Sequence, residues 1–328
     1  MKKRFVIITL FLFLFIFITL EIIPRINPQI ILLFGDYIST IMISNLEFAK
    51  KRLQDKIMVK PDKELGYVLR PNKTIRIKTS EYDFMTQFYA LKIDDIEIGV
   101  RDKISNLKDI FGVAIGDSYT FCYGLSDEEC WVEILQNKLG KEVLNLGVFG
   151  YGSAQEYLML YKVGLKLKPM VVIWQFNFLD PADDRYFLSD NFYPIPHPQN
   201  IFRKSPFPLS HSVVLSIIDA LSIIYVEPIR KIKALNYIKD AQEEIIDTAE
   251  NIERAFKLCK ENNIHFFLVF MPEHDNLSLT LQKSLCHKIP CIKIGFQKEH
   301  FFSIDGHLNP AGSNYAAEKI YEYIKSSL

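Results

Sequence analysis

The stretch Val113-Ala114-Ile115-Gly116-Asp117-Ser118 constrains this chain more than any other. Three apolar residues read as a short buried strand, Gly116-Asp117 as a turn, and the residues after Ser118 as a helix. A serine so placed stands at the carboxyl end of a strand, where open α/β sheets hold their ligands. Its backbone N–H lies at a helix N-terminus, where negative charge is favoured. One residue thereby offers a hydroxyl to attack a carbonyl and an N–H to help hold the resulting oxyanion. The same turn also reads as a plain strand–turn–helix with an incidental serine. It lacks the second glycine of a G-x-S-x-G elbow, which argues against an ordinary α/β-hydrolase.

Around that stretch the chain alternates strand and helix from Ile110 onward, the pattern of a mainly parallel sheet. Strands are expected over 110–115, 143–146, 170–176, 264–270 and 289–294. A glycine loop, Gly147 to Gly152, follows the second, and Asn177-Phe178-Leu179-Asp180 follows the third. Asn309 is a natural N-cap and Pro310 a natural first helical residue for a last helix running to about Ile324. Upstream, 65–108 reads as a small β-rich module of hairpins closed by a polar linker, ahead of an α/β domain over 109–328.

Met1-Lys2-Lys3-Arg4 precedes an apolar run from Phe5 to Leu20, extended by Ile22 and Ile23. Glu21-Ile22-Ile23-Pro24-Arg25 offers no small-residue cleavage site, so residues 1–28 are expected to form an uncleaved membrane anchor. The basic start then stays in the cytoplasm and the rest lies outside it, periplasmic or extracellular. Residues 29–64 read as an amphipathic or linker region. Its apolar part, 30–46, is either a surface helix or the second arm of a membrane hairpin, and Asp36 favours the former. Segment 213–226 reads as a packing helix, with a lid as the alternative.

Lys plus Arg equals Asp plus Glu at 39 each, so no field of one sign invites nucleic acid, and none is expected as a partner. The five cysteines form no C-x-x-C; Cys286 and Cys291 are spaced to bridge, but all five read as buried thiols. No metal or other cofactor is implied.

His307 is set apart from the other six histidines by its place. It shares a short loop with Asp305, between a strand region and the capped last helix. Such a histidine can take a proton from a serine while a carboxylate fixes its tautomer. Taken together, these residues resemble the SGNH/GDSL hydrolase family, in its membrane-anchored, extracytoplasmic type. Val113 to Ser118 is similar to its first block, Asn145-Leu146-Gly147-Val148-Phe149-Gly150 to its second, and Asp305-Gly306-His307-Leu308-Asn309-Pro310 to its last. The resemblance covers roughly residues 65–328 and implies a three-layer, flavodoxin-like α/β fold. It implies Ser118 as nucleophile, His307 as general base and Asp305 as its orienter. Ser118 N–H, Gly150 N–H and an Asn side chain would form the oxyanion hole. The acid and base stand as D-x-H, where many members of the family have D-x-x-H.

The third block departs most from the family. Anchoring on Asp180 puts Leu179 in the Asn position and removes the side-chain donor; anchoring on residue type puts Asn177 there, and Asn177 is the expected donor. The implied activity is an ester hydrolase or O-acyltransferase acting on an acylated glycan or lipid outside the cytoplasm. The rival reading is an envelope protein that keeps the fold as a catalytically impaired binding scaffold. Nucleotide binding at Gly147–Gly152 ranks last, because G-x-G-x-x-G is absent.

Overall fold

The computed structural model describes residues 57–103, 107–188, 247–271 and 276–328, together with Leu12 and Phe15. The expected anchor (those two residues apart), the run 30–46 and segment 213–226 lie outside the described residues. Among the described residues no helix is long and apolar enough to cross a membrane.

Five strands form the central sheet: β6 (Ile110–Ile115), β7 (Glu142–Asn145), β8 (Val171–Phe176), β9 (His265–Phe270) and β10 (Cys291–Lys293). Their order is β10-β9-β8-β6-β7, and every pairing is parallel. Counted within the sheet this is 2-1-3-4-5, the flavodoxin-like order, whose switch point lies beside the first strand. All six residues of β6 and all six of β8 are buried. Strands covered on both faces carry such unbroken apolar runs.

Helices supply the two covers. On one face α2 (Trp131–Leu139) and α7 (Pro310–Ser327) pack Trp131, Leu135, Ala316 and Ile320 against Ala114, Ile173 and Val269. On the other, α3 (Ser153–Lys162), α5 (247–261) and α6 (Asn276–Leu285) set Leu160, Cys259 and Leu281 against Val113, Val172 and Leu268, while α4 (Asp180–Leu188) follows β8. Each such fully buried large apolar side chain contributes about 1.5–3 kcal/mol.

The β-rich region holds a hairpin, β1 (Val59–Asp62) with β2 (Gly66–Leu69), and a three-stranded antiparallel sheet of β3 (Lys73–Lys78), β4 (Asp83–Ile93) and β5 (Ile96–Val100). Along β4 residues 83–88 alternate exposed and buried, the period-two pattern of a strand with one covered face. These strands and the α/β sheet belong to one compact unit, and Phe84, Phe88 and Ile98 share a core with Val113 and Leu144.

Candidate active site

The site lies at the carboxyl end of β6, beside the switch point. Asp117 caps the short helix α1 (Ser118–Phe121), its Oδ1 accepting from Tyr119 N–H at 2.9 Å, and Ser118 is the first helical residue. Ser118 Oγ is 2.8 Å from His307 Nε2 and 3.3 Å from Asp117 Oδ2. On its far side the imidazole is bound through Nδ1 to Asp305 Oδ1. With Nδ1 protonated toward the carboxylate, Nε2 is free to accept the serine proton. Ser118, His307 and Asp305 are thus brought into one hydrogen-bonded chain across the D-x-H spacing.

Aromatic rings hold the imidazole. Tyr123 stacks on it with centroids 5.4 Å apart and 26° between planes, and Tyr119 tilts against it at 5.3 Å. The Tyr119 hydroxyl donates to Gly306 O at 2.9 Å, tying the Ser118 helix to the His307 loop.

The second loop leans on the same helix. Val148 N–H donates to Gly116 O at 3.1 Å, and the Phe149 ring packs on Phe121 and Tyr123. At Gly147 a Cβ would lie 2.5 Å from Phe121 N, so only glycine permits this approach. Gly150 sits at φ +74°, in the left-handed region, and is half-buried. Among the described residues neither Ser118 N–H nor Gly150 N–H is taken by an acceptor within the chain. Two such N–H groups at the mouth of the sheet are the kind of donors that stabilise an oxyanion.

Asn177 departs from its expected role. It is 0% exposed; its Nδ2 donates to Asp117 Oδ2 at 2.7 Å and its Oδ1 accepts from Leu179 N–H at 3.1 Å. The amide braces the carboxylate next to Ser118 instead of facing the cleft. The reason is local: in the turn after β8, where Asn177 N–H donates to Asp180 Oδ2 at 2.9 Å, the Asn177 side chain lies beside Asp117. Leu179 is half-buried.

Below this turn lies a group of buried carboxylates. Burial pushes Asp117 up, partly offset by Tyr119 N–H, His307 and the amides of Asn177 and Gln175. Burial, then the neighbouring Glu156, holds Asp180 well above the usual carboxylate range. Glu156 is raised in the same way, by burial and then by Asp117, with slight relief from the Trp174 side chain. Among the described residues no three His, Cys, Asp or Glu side chains are arranged to hold a metal ion.

Sequence reasoning missed the contribution of the β-rich strands. Arg101, buried just after β5, donates to the carbonyls of Phe121, Cys122 and Leu125 and to Asp127 Oδ1. Tyr67 of β2 donates to Phe149 O at 2.9 Å, next to Gly150. Tyr82, between β3 and β4, donates to Asp305 Oδ2 at 2.8 Å. Nothing local in the sequence signals these contacts. The cysteines also differ from expectation: Cys122 pairs with Cys130 and Cys286 with Cys291, leaving Cys259 as a buried thiol. Cys122 ends α1 and Cys130 begins α2, so the turn between those helices brings the two together.

No sequence-family model matches the chain, and no curated protein does. Among solved structures it is similar to TesA, at 14% identity and TM-score 0.43, covering 66% of this chain and 99% of that one. It is similar to the psychrotrophic esterase EstA from Pseudoalteromonas sp., at 14% identity and TM-score 0.40, covering 66% and 97%. A GDSL-like lipase from Bacteroides thetaiotaomicron is matched at 14% identity and TM-score 0.37, over 69% of this chain and 92% of that chain. At such values the likeness carries no inference about activity, which is read from the site's own geometry.

Proposed function

We propose that this chain is a serine-dependent ester hydrolase or O-acyltransferase of the SGNH/GDSL type. The observation that carries the reading is the chain from Ser118 Oγ through His307, 2.8 Å away at Nε2, to Asp305. In the first half-reaction Ser118 Oγ bonds to the ester carbonyl carbon and its proton passes to His307 Nε2. The carbonyl oxygen becomes an oxyanion facing the N–H groups of Ser118 and Gly150. Collapse breaks the bond to the alcohol, which leaves with the proton from His307. Water or a sugar hydroxyl then reaches the acyl-enzyme by the same steps in reverse, giving hydrolysis or transfer.

The proposed substrate is an acylated glycan or lipid, and the proposed setting is outside the cytoplasm, with residues 1–28 as the anchor. The two disulfides support an oxidising compartment. A fluorophosphonate probe applied to the protein tests the core of the reading. Wild type should label and turn over p-nitrophenyl acetate, and Ser118→Ala should do neither.

The second reading, a catalytically impaired scaffold, draws on the burial of Asn177. Loss of one oxyanion donor costs about 2.7–4 kcal/mol of transition-state stabilisation, which leaves a slow enzyme. Folded wild type as inert as Ser118→Ala would establish the scaffold.

A further inference from the structure

The acid of the Ser118–His307–Asp305 chain is held by the β-rich strands. Asp305 has two carboxylate oxygens, and only Oδ1 is engaged by His307. Oδ2 accepts from the Tyr82 hydroxyl at 2.8 Å, across 223 positions of sequence. Tyr82 is 8% exposed, with its ring packed on Phe84, Tyr123 and Phe302. That packing leaves the hydroxyl little freedom to point elsewhere. The neighbouring Glu81 grips the backbone of the same loop. Its Oε1 accepts from Ile304 N–H at 2.9 Å and Ser303 Oγ at 2.8 Å, and its Oε2 from Asp305 N–H at 2.7 Å.

Spacing matters here. Only Gly306 stands between acid and base, and the loop's backbone is set by Gly306 N–H to Phe302 O at 3.0 Å and Phe302 N–H to His307 O at 2.8 Å, but neither bond involves the Asp305 carboxylate. A tyrosine hydroxyl bound to one oxygen fixes the plane of the carboxylate, and the Glu81 clamp fixes its Cα. Hydrogen bonds to an ionised acceptor are about twice as strong as neutral ones. We infer that Tyr82 is a positioning residue for the proposed ester chemistry, and that with Glu81 it makes the hairpin turn between β3 and β4 a working part of the active site. The inference rests on the serine-hydrolase reading given above.

Tyr82→Phe keeps the ring and removes only the hydroxyl. It should lower kcat about 10-fold with KM unchanged, the size of one charge-assisted hydrogen bond. The low-field proton resonance of the His307–Asp305 hydrogen bond should shift, since the acceptor has lost its second donor. In an Asp305→Ala background the same change should cost nothing further. Glu81→Gln, on the half-buried clamp, should also lower kcat with KM unchanged. An unmoved resonance, or an equal loss in the Asp305→Ala background, would overturn the inference. If wild type neither labels nor turns over, the ester-hydrolase reading fails, while the resonance still decides whether Tyr82 acts on Asp305.

Discussion

Asn177 donates its side-chain amide to Asp117 Oδ2 at 2.7 Å, and Asp117 in turn caps the helix that begins with Ser118. Truncating the amide leaves a buried carboxylate short of a donor, which costs about 1–3 kcal/mol. Asn177→Ala is therefore expected to lower both the melting temperature and turnover. A pure oxyanion donor would lose turnover at unchanged stability. Thermal denaturation run beside steady-state kinetics separates the two.

Gly150 is the position where backbone conformation bears on the proposed oxyanion hole. Alanine at φ +74° is strained by roughly 1–2 kcal/mol, and its Cβ would lie 2.9 Å from the Tyr67 hydroxyl. Gly150→Ala should reduce kcat by one to two orders of magnitude, as expected for a displaced oxyanion donor, with the fold retained. Turnover equal to wild type would remove Gly150 from the mechanism.

The Cys122–Cys130 bridge closes a short loop directly behind α1. For a loop of this length the chain-entropy model gives about 2–3 kcal/mol. Cys122→Ala with Cys130→Ala should lower the melting temperature by several degrees and slow fluorophosphonate labelling of Ser118. Labelling at the wild-type rate would show that Arg101 alone sets the loop, through its bonds to the carbonyls of residues 121, 122 and 125.

Asp184 is 3% exposed, and burial pushes its carboxyl up to about 6, against partial relief from Ala154 N–H and the hydroxyls of Ser153 and Thr248. The folded chain thus holds this proton more tightly than the unfolded chain. The stabilisation is complete below about pH 4 and is lost as pH rises through about 6, a change of roughly 3 kcal/mol. Glu156 and Asp180 are raised too and act in the same direction. Urea unfolding between about pH 4 and pH 7 should show stability falling, with a shallower slope in Asp184→Asn. An identical slope in the variant would assign the dependence to other groups.

The parts legible in the sequence were those whose chemistry is local. Val113 to Ser118 reads as strand, turn and helix because the apolar run, the glycine and the capping Asp117 are consecutive. Asp305 and His307 are two residues apart and meet as expected. Asn177 is the exception: the end of β8 falls where expected, but residue type does not fix which way the following turn points its side chains, and the amide goes to Asp117. Tyr82, Glu81 and Arg101 were invisible for a different reason. Each acts across the fold, and no periodicity or spacing records which loop a hairpin turn will touch. The pairing of Cys122 with Cys130 likewise depends on the turn from α1 into α2, which spacing alone does not define.

Residues 177–264 separate β8 from β9, yet the two strands pair over six residues without a break. The entropy of closing such a connection grows only with the logarithm of its length, about 0.6 kcal/mol for each doubling. The sheet, and with it the strand ends that position Ser118, is therefore nearly indifferent to how much chain passes between these two strands.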